Sequence, residues 1–217
     1  MRQPVSLGAL AVIACVAVVG WRLGRQSSPE TFSDPKVSPP EAAPLCPWRE
    51  PEADLKGFFP GATRYEAQTR ILSGRRQELA QHLGRNLTGD ENALRFWRVY
   101  RGDLFLGTIL TRRAKGEYGG IELVLATDTN RCVRGLRLQR LREPELIADA
   151  LQNTNWLRSF AGKQAGDPCR LGSDIPELPS QARASATAIA QGVRSLLVLL
   201  AAADGAETPR LAATHHD

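Results

Sequence analysis

A chain of 217 residues, 42% apolar and 24% charged, has the composition of a folded core and room for one ordinary domain with short accessory segments. Its net charge of +5 rests on 24 arginines and only 4 lysines, and these form no run with interleaved aromatics, which argues against a nucleic-acid groove. Arg131, Arg134, Arg137 and Arg140 recur every three residues; on a strand they would alternate faces, as expected of a solvated surface.

The first organised feature is VSLGALAVIACVAVVGW (5–21), uncharged and closed by Trp21, with Arg22 and Arg25 just beyond. It has about the minimum length of a spanning helix, and a boundary tryptophan suits the bilayer interface. An uncleaved anchor is the reading adopted. The rival, a cleaved signal, lacks a small-residue site after the apolar core. Arg2 and the amino terminus nearly balance Arg22 and Arg25, so orientation stays open. Residues 26–52 carry seven prolines among Ser and acidic residues, which predicts an extended, disordered tether.

The domain proper is expected over 55–203, followed by a disordered tail at 204–217. Leu72, Leu79, Ala80 and Leu83 share a helical face, with Ser73 as a possible N-cap and Gly84 as a stop. RFWRVY (95–100), a Gly102-Asp103 turn and LFLGTILTR (104–112) predict a hairpin. AKGEYGG (114–120) is a second turn, leading to strands at IELVLATD (121–128) and CVRGLRLQRL (132–141), where Gly135 suggests a bulge. Helices follow at about 145–152 and at 154–161, opening at Thr154 and closing at Gly162. After a loop at 163–182, a last helix aligns Ile189, Val193, Leu196, Leu197 and Leu200. Four consecutive strands followed by helices imply an α+β domain, an antiparallel sheet with flanking helices behind one N-terminal transmembrane helix.

In collinear order, GFFPGATRY (57–65), the helix ending at Leu83-Gly84, WRVYRG (97–102) and LGTILTRRAKGEYGGIELVLATD (106–128) resemble the FMN-binding domain family. The likeness continues through Arg142-Glu143-Pro144, NWLRSFAGK (155–163), Asp174-Ile175 and Gly192-Val193-Arg194. That family includes the G subunit of the Rnf complex and the C subunit of the sodium-pumping NADH:quinone reductase. The resemblance implies an inner-membrane anchor with a periplasmic domain, partner subunits in a membrane redox complex, and electron carriage by FMN. In that family the flavin is joined to a threonine through a phosphodiester made by a separate flavin transferase, and the resemblance implies the same attachment here.

The attachment motif departs from the family's Ser-Gly-Ala-Thr. Aligned on the last helix, the motif falls on Ser180-Gln181-Ala182-Arg183, where arginine replaces the acceptor. Shifted by four, it falls on Ala184-Ser185-Ala186-Thr187, which restores a threonine. The plain alternative for Ser185 and Thr187 is helix capping. Arg183 at a helix start suits a flavin phosphate or another anion, which the helix dipole also favours, and a solvated surface arginine accounts for it equally well. Tyr118 with Gly119 and Gly120 is a candidate for close approach to the flavin ring, and a hairpin turn accounts for those glycines as well. Trp97 and Trp156 read as core aromatics, and Glu143 as a solvated acid in a turn.

No CxxC, nucleophile elbow, Walker loop or dinucleotide glycine fingerprint occurs, which speaks against haem attachment and an independent enzyme. Cysteine and histidine spacing does not suggest a metal site. Cys132 and Cys169 would be a disulfide pair if export and the fold brought them together. Two functional classes remain: a membrane-anchored FMN electron-transfer subunit, and a flavin-free accessory module on the same fold.

Overall fold

The computed structural model describes residues 46–205, all within one compact unit of the chain. The expected anchor at 5–21, most of the tether and nearly all of the tail lie outside these residues.

Five strands form one antiparallel sheet in sequence order: β1 (Arg64–Ile71), β2 (Ala93–Arg101), β3 (Leu104–Lys115), β4 (Gly120–Thr127) and β5 (Val133–Leu141). Short turns join β2 to β5, as expected for neighbouring antiparallel strands. β1 corrects the count of four. It is an exposed edge strand whose alternate residues are mostly polar, so it carries little of the apolar period that marks the others.

Helices cover both faces unequally. The long α5 (Arg183–Gly205) lies on the first face, together with α2 (Arg76–Leu83), α3 (Glu145–Gln152) and α4 (Thr154–Arg158). Leu110, Leu123 and Leu125 of the sheet meet Ile189, Val193, Leu196, Leu197 and Leu200 there, the stripe expected from the sequence. Residues Ser180–Asp204 are long and apolar enough to cross a membrane, with a mean hydropathy of 1.6, but 72% of that stretch is buried within the domain, as suits a core helix.

The second face holds a smaller cluster of Trp97, Val99, Ile109, Val124 and Ala126 under Phe59. Helix α1 (Pro51–Phe58) and the segment before it form a strap over this cluster. Residues 46–52 therefore correct the expected tether boundary. Cys46 is buried, its carbonyl accepts from Thr111 Oγ1 (2.5 Å), and the Pro47 carbonyl accepts from Gln139 Nε2 (2.7 Å). Trp48 stacks edge-on to Tyr65 and donates through Nε1 to buried Asp54 (2.6 Å), which also takes two hydrogen bonds from Arg137. The proline-rich composition hides this because the strap is held by side chains that dock on distant strands, not by a local period.

Helix boundaries differ in detail. Gly84 ends α2 in the left-handed conformation at φ 69°, as its position suggests, but Ser73 is no cap: it opens a short 3₁₀ turn ahead of α2. Asn153 rather than Thr154 caps α4, accepting from the amides of Asn155 and Trp156. α5 continues past residue 203, and its Asp204 pairs with Arg98.

β5 has two register shifts. One leaves Arg134 extra, just before Gly135, and the Phe58 ring fills the notch that Gly135 leaves. The other makes Gln139 the extra residue, so that Arg137 opposes Val124 and Arg140 opposes Glu122. Directly opposed residues share a face, and Arg137 and Arg140 thus lie together on the second face instead of alternating.

Candidate functional site

The sequence-derived site residues gather around the start of α5, in two groups that do not share a pocket. The first group joins the β3–β4 turn to the helix. Ser185 is fully buried; its Oγ accepts from the Glu117 amide (2.9 Å) and donates to Glu143 Oε1 (3.0 Å). Glu143 Oε2 accepts from the Tyr118 amide (3.3 Å). This overturns the reading of Glu143 as a solvated acid: its carboxylate is a staple between the turn and α5. Gly116 and Gly119 are required by that packing. A Cβ on Gly116 would lie 1.9 Å from Glu143 Oε1, and one on Gly119 would lie 2.3 Å from the Arg142 carbonyl. Gly120 opens β4 with room for a side chain, and the Tyr118 side chain points to solvent.

Ser185 is thereby removed from the surface. A buried hydroxyl with both partners filled is a packing element, and no transferase reaches it without unfolding the helix start.

The second group lies across the helix. Arg183 and Thr187, one turn apart, open on a cavity of about 510 Å³ between α5, the end of α2 and the loop at 168–171. Small-molecule sites span about 300–1,000 Å³. Arg85, Arg170 and Arg194 also line it, over an apolar floor that includes Leu83, Leu171 and Ala190. Arg85 is engaged by Glu91 through two hydrogen bonds of 2.8 and 2.7 Å. Arg194 donates to the Leu83 and His82 carbonyls, satisfying the end of α2, while its buried Nε has no partner. Arg183 has only an exposed pairing with Glu177 at 3.2 Å, which is worth little. Arg170 has no side-chain partner among the described residues. The cavity therefore carries guanidinium donors in excess of the carboxylates that meet them, which suits an anion.

Helical geometry decides what each register of the motif offers. Ser180 and Ala182 lie in a short 3₁₀ turn, and α5 runs as continuous helix from Arg183, so residues 184–187 are already helical. Ser180 is exposed, with a 3.4 Å contact to Gln181. Thr187 is half-buried, and its hydroxyl donates back to the Arg183 carbonyl (2.8 Å), a weak local bond. Neither Ser185 nor Thr187 caps the helix.

Beneath the site, Glu91 is buried and accepts from Arg85, Arg112 and the Thr88 amide. Burial alone would raise its pKa, but these donors outweigh it and hold the carboxyl at about 2. Cys46, Cys132 and Cys169 are free thiols, so the expected Cys132–Cys169 bridge is not formed. Cys169 lines the cavity at φ 48°, and burial pushes its thiol up to about 11. Sequence reasoning missed Arg170, Arg194 and the staple; Arg170 and Arg194 lie far apart in sequence with nothing local to join them. Compared with known proteins, the chain matches no family model and no curated protein.

Proposed function

We propose that this protein is a membrane-anchored FMN-binding electron-transfer protein that serves a membrane redox complex from the periplasmic side of the inner membrane. The observation that carries this reading is the arginine-lined cavity onto which Arg183 and Thr187 open together. Its residues fit FMN at the phosphate end. Arg170 and Arg183 offer charge-assisted donors to a phosphate, and the unpartnered Nε of Arg194 adds a third. The Leu83, Leu171 and Ala190 surfaces would bury part of the apolar ring, whose redox chemistry FMN supplies when bound.

The continuous helix favours non-covalent binding, with Arg183 as a phosphate partner in place of the acceptor threonine. Thr187 remains the one motif hydroxyl on the cavity wall, and covalent attachment there is the competing arrangement. A second reading, a flavin-free accessory module, is favoured by the sealed Ser185 and by the helical backbone where the family's motif carries glycine.

The full chain, co-expressed with a flavin transferase, separates these. Flavin absorption that is lost on denaturation, with an unmodified tryptic peptide 184–194, supports non-covalent FMN, and Arg183→Ala then weakens binding. A peptide heavier by FMN less water, with the extra mass lost in Thr187→Ala, places the flavin on Thr187. A colourless protein with an unmodified peptide defeats the electron carrier and leaves the accessory module. Protease treatment of spheroplasts tests the topology: a domain protected inside the cell would overturn the periplasmic placement.

A further inference from the structure

Independently of the flavin reading, we propose that the polar end of the sheet's second face binds a phosphate group, carried by a soluble phosphoester or by a phospholipid headgroup. Arg113, Arg140 and Arg142 line a concavity of about 350 Å³ together with Gly120 and Glu122. Glu122 is the carboxylate at its base, buried to 1% exposure. Its Oε2 accepts from Arg49 Nε at 3.0 Å and its Oε1 from Arg113 at 2.9 Å, with Arg140 4.0 Å away. Gln139 Nε2 adds a contact at 3.5 Å. Three guanidiniums thus meet around one carboxylate, and Arg142 lines the same concavity.

The donors are not exhausted. A guanidinium has five N–H groups, and each of these arginines gives at most one side-chain bond to Glu122. Arg142 has no side-chain partner among the described residues, and its neighbour Glu143 is turned to Ser185 and the Tyr118 amide. The extra residue at Gln139 brings Arg140 onto this face, opposite Glu122. Glu122 holds one edge of the Arg49 and Arg113 guanidiniums and leaves their remaining N–H groups to other partners, while Arg113 and Arg140 are about half exposed.

Ligand class follows from charge and shape. A lone carboxylate ligand needs one guanidinium, whereas a phosphate dianion presents three oxygens and suits several converging forks. The single carboxylate at the base is spent on Arg49, Arg113, Arg140 and Gln139, so the surplus positive charge faces outward.

The test uses the full chain in a neutral detergent, titrated calorimetrically first with inorganic phosphate and then with micelles doped with phosphatidic acid, whose headgroup is a phosphomonoester. The variants are Arg142→Gln and Arg140→Gln/Arg142→Gln, which leave the Arg49 and Arg113 bonds to Glu122 in place. Saturable phosphate binding, weakened at least fivefold by both variants and unchanged by Arg183→Ala, supports the site with a soluble ligand. Saturation only with the doped micelles, lost in the same variants, supports the headgroup. No saturation with either probe, or binding that the variants leave unchanged, overturns the proposal.

Discussion

The Ser185 hydroxyl and the Glu143 carboxylate meet at 3.0 Å in the interior, closing a link between the β3–β4 turn and the first turn of α5. Ser185→Ala leaves the Glu117 amide and one Glu143 oxygen without this partner. The expected cost is about 1–3 kcal/mol, read as a lower urea midpoint with an unchanged denaturant slope. If Ser185→Ala unfolds at the parent's midpoint, the staple contributes nothing.

Glu91 sets an acid limit on stability. Its folded pKa, about 2, lies below its ordinary value of 4.5. The unfolded chain therefore takes up a proton first as pH falls. The stabilisation is fully present above about pH 5 and is lost as pH drops through the folded value near 2, amounting to roughly 3 kcal/mol. Glu91→Gln should flatten this part of the stability–pH curve and lower stability at pH 7. Parallel curves for variant and parent between pH 5 and 2 would contradict the assignment.

Thiol reactivity follows burial. Cys132 is half-buried, while Cys46 and Cys169 are buried with thiols raised above the usual range, chiefly by burial. Native protein at pH 8 should take up iodoacetamide at Cys132 well before Cys46 or Cys169. Peptide mass spectrometry reads the order, and a Cys132–Cys169 peptide linked before reduction would revive the bridge.

Asp54 anchors the strap on the second face through Arg137 and Trp48. Asp54→Ala strands a half-buried guanidinium and is expected to cost about 2–4 kcal/mol, somewhat less than a fully buried pair because Arg137 is partly exposed. Amide exchange should accelerate at 50–59 while β4 keeps its protection. Uniform acceleration across the sheet would mean that the strap is not a separate unit.

Strands β2 to β5 were legible because each carries apolar residues at a strand's spacing, between short turns rich in Gly, Asp or Asn. The α5 stripe was legible for the corresponding helical reason. β1 was not, since Glu66, Gln68 and Arg70 alternate with residues that are also exposed, and an edge strand needs only backbone pairing on one side. The strap was hidden by its composition. At the site, residue types pointed to Arg183 and Thr187, which do share a cavity, whereas Ser185 read as a motif or helix-capping hydroxyl and is buried instead. Nothing in a serine's neighbours along the chain reveals that a turn 68 residues away will close over it.

The strap also determines how a pull on the N-terminal side would travel through the domain. Tension arriving at Cys46 meets the single bonds of Cys46 to Thr111, Pro47 to Gln139 and Arg49 to Glu122 before the paired bonds of Arg137 to Asp54. Bonds loaded one after another peel, whereas the ladder between β3 and β4 is joined along eight residue pairs. The strap is therefore a mechanical fuse: it lifts first, baring Trp97 and Val124 while the α5 core stays closed.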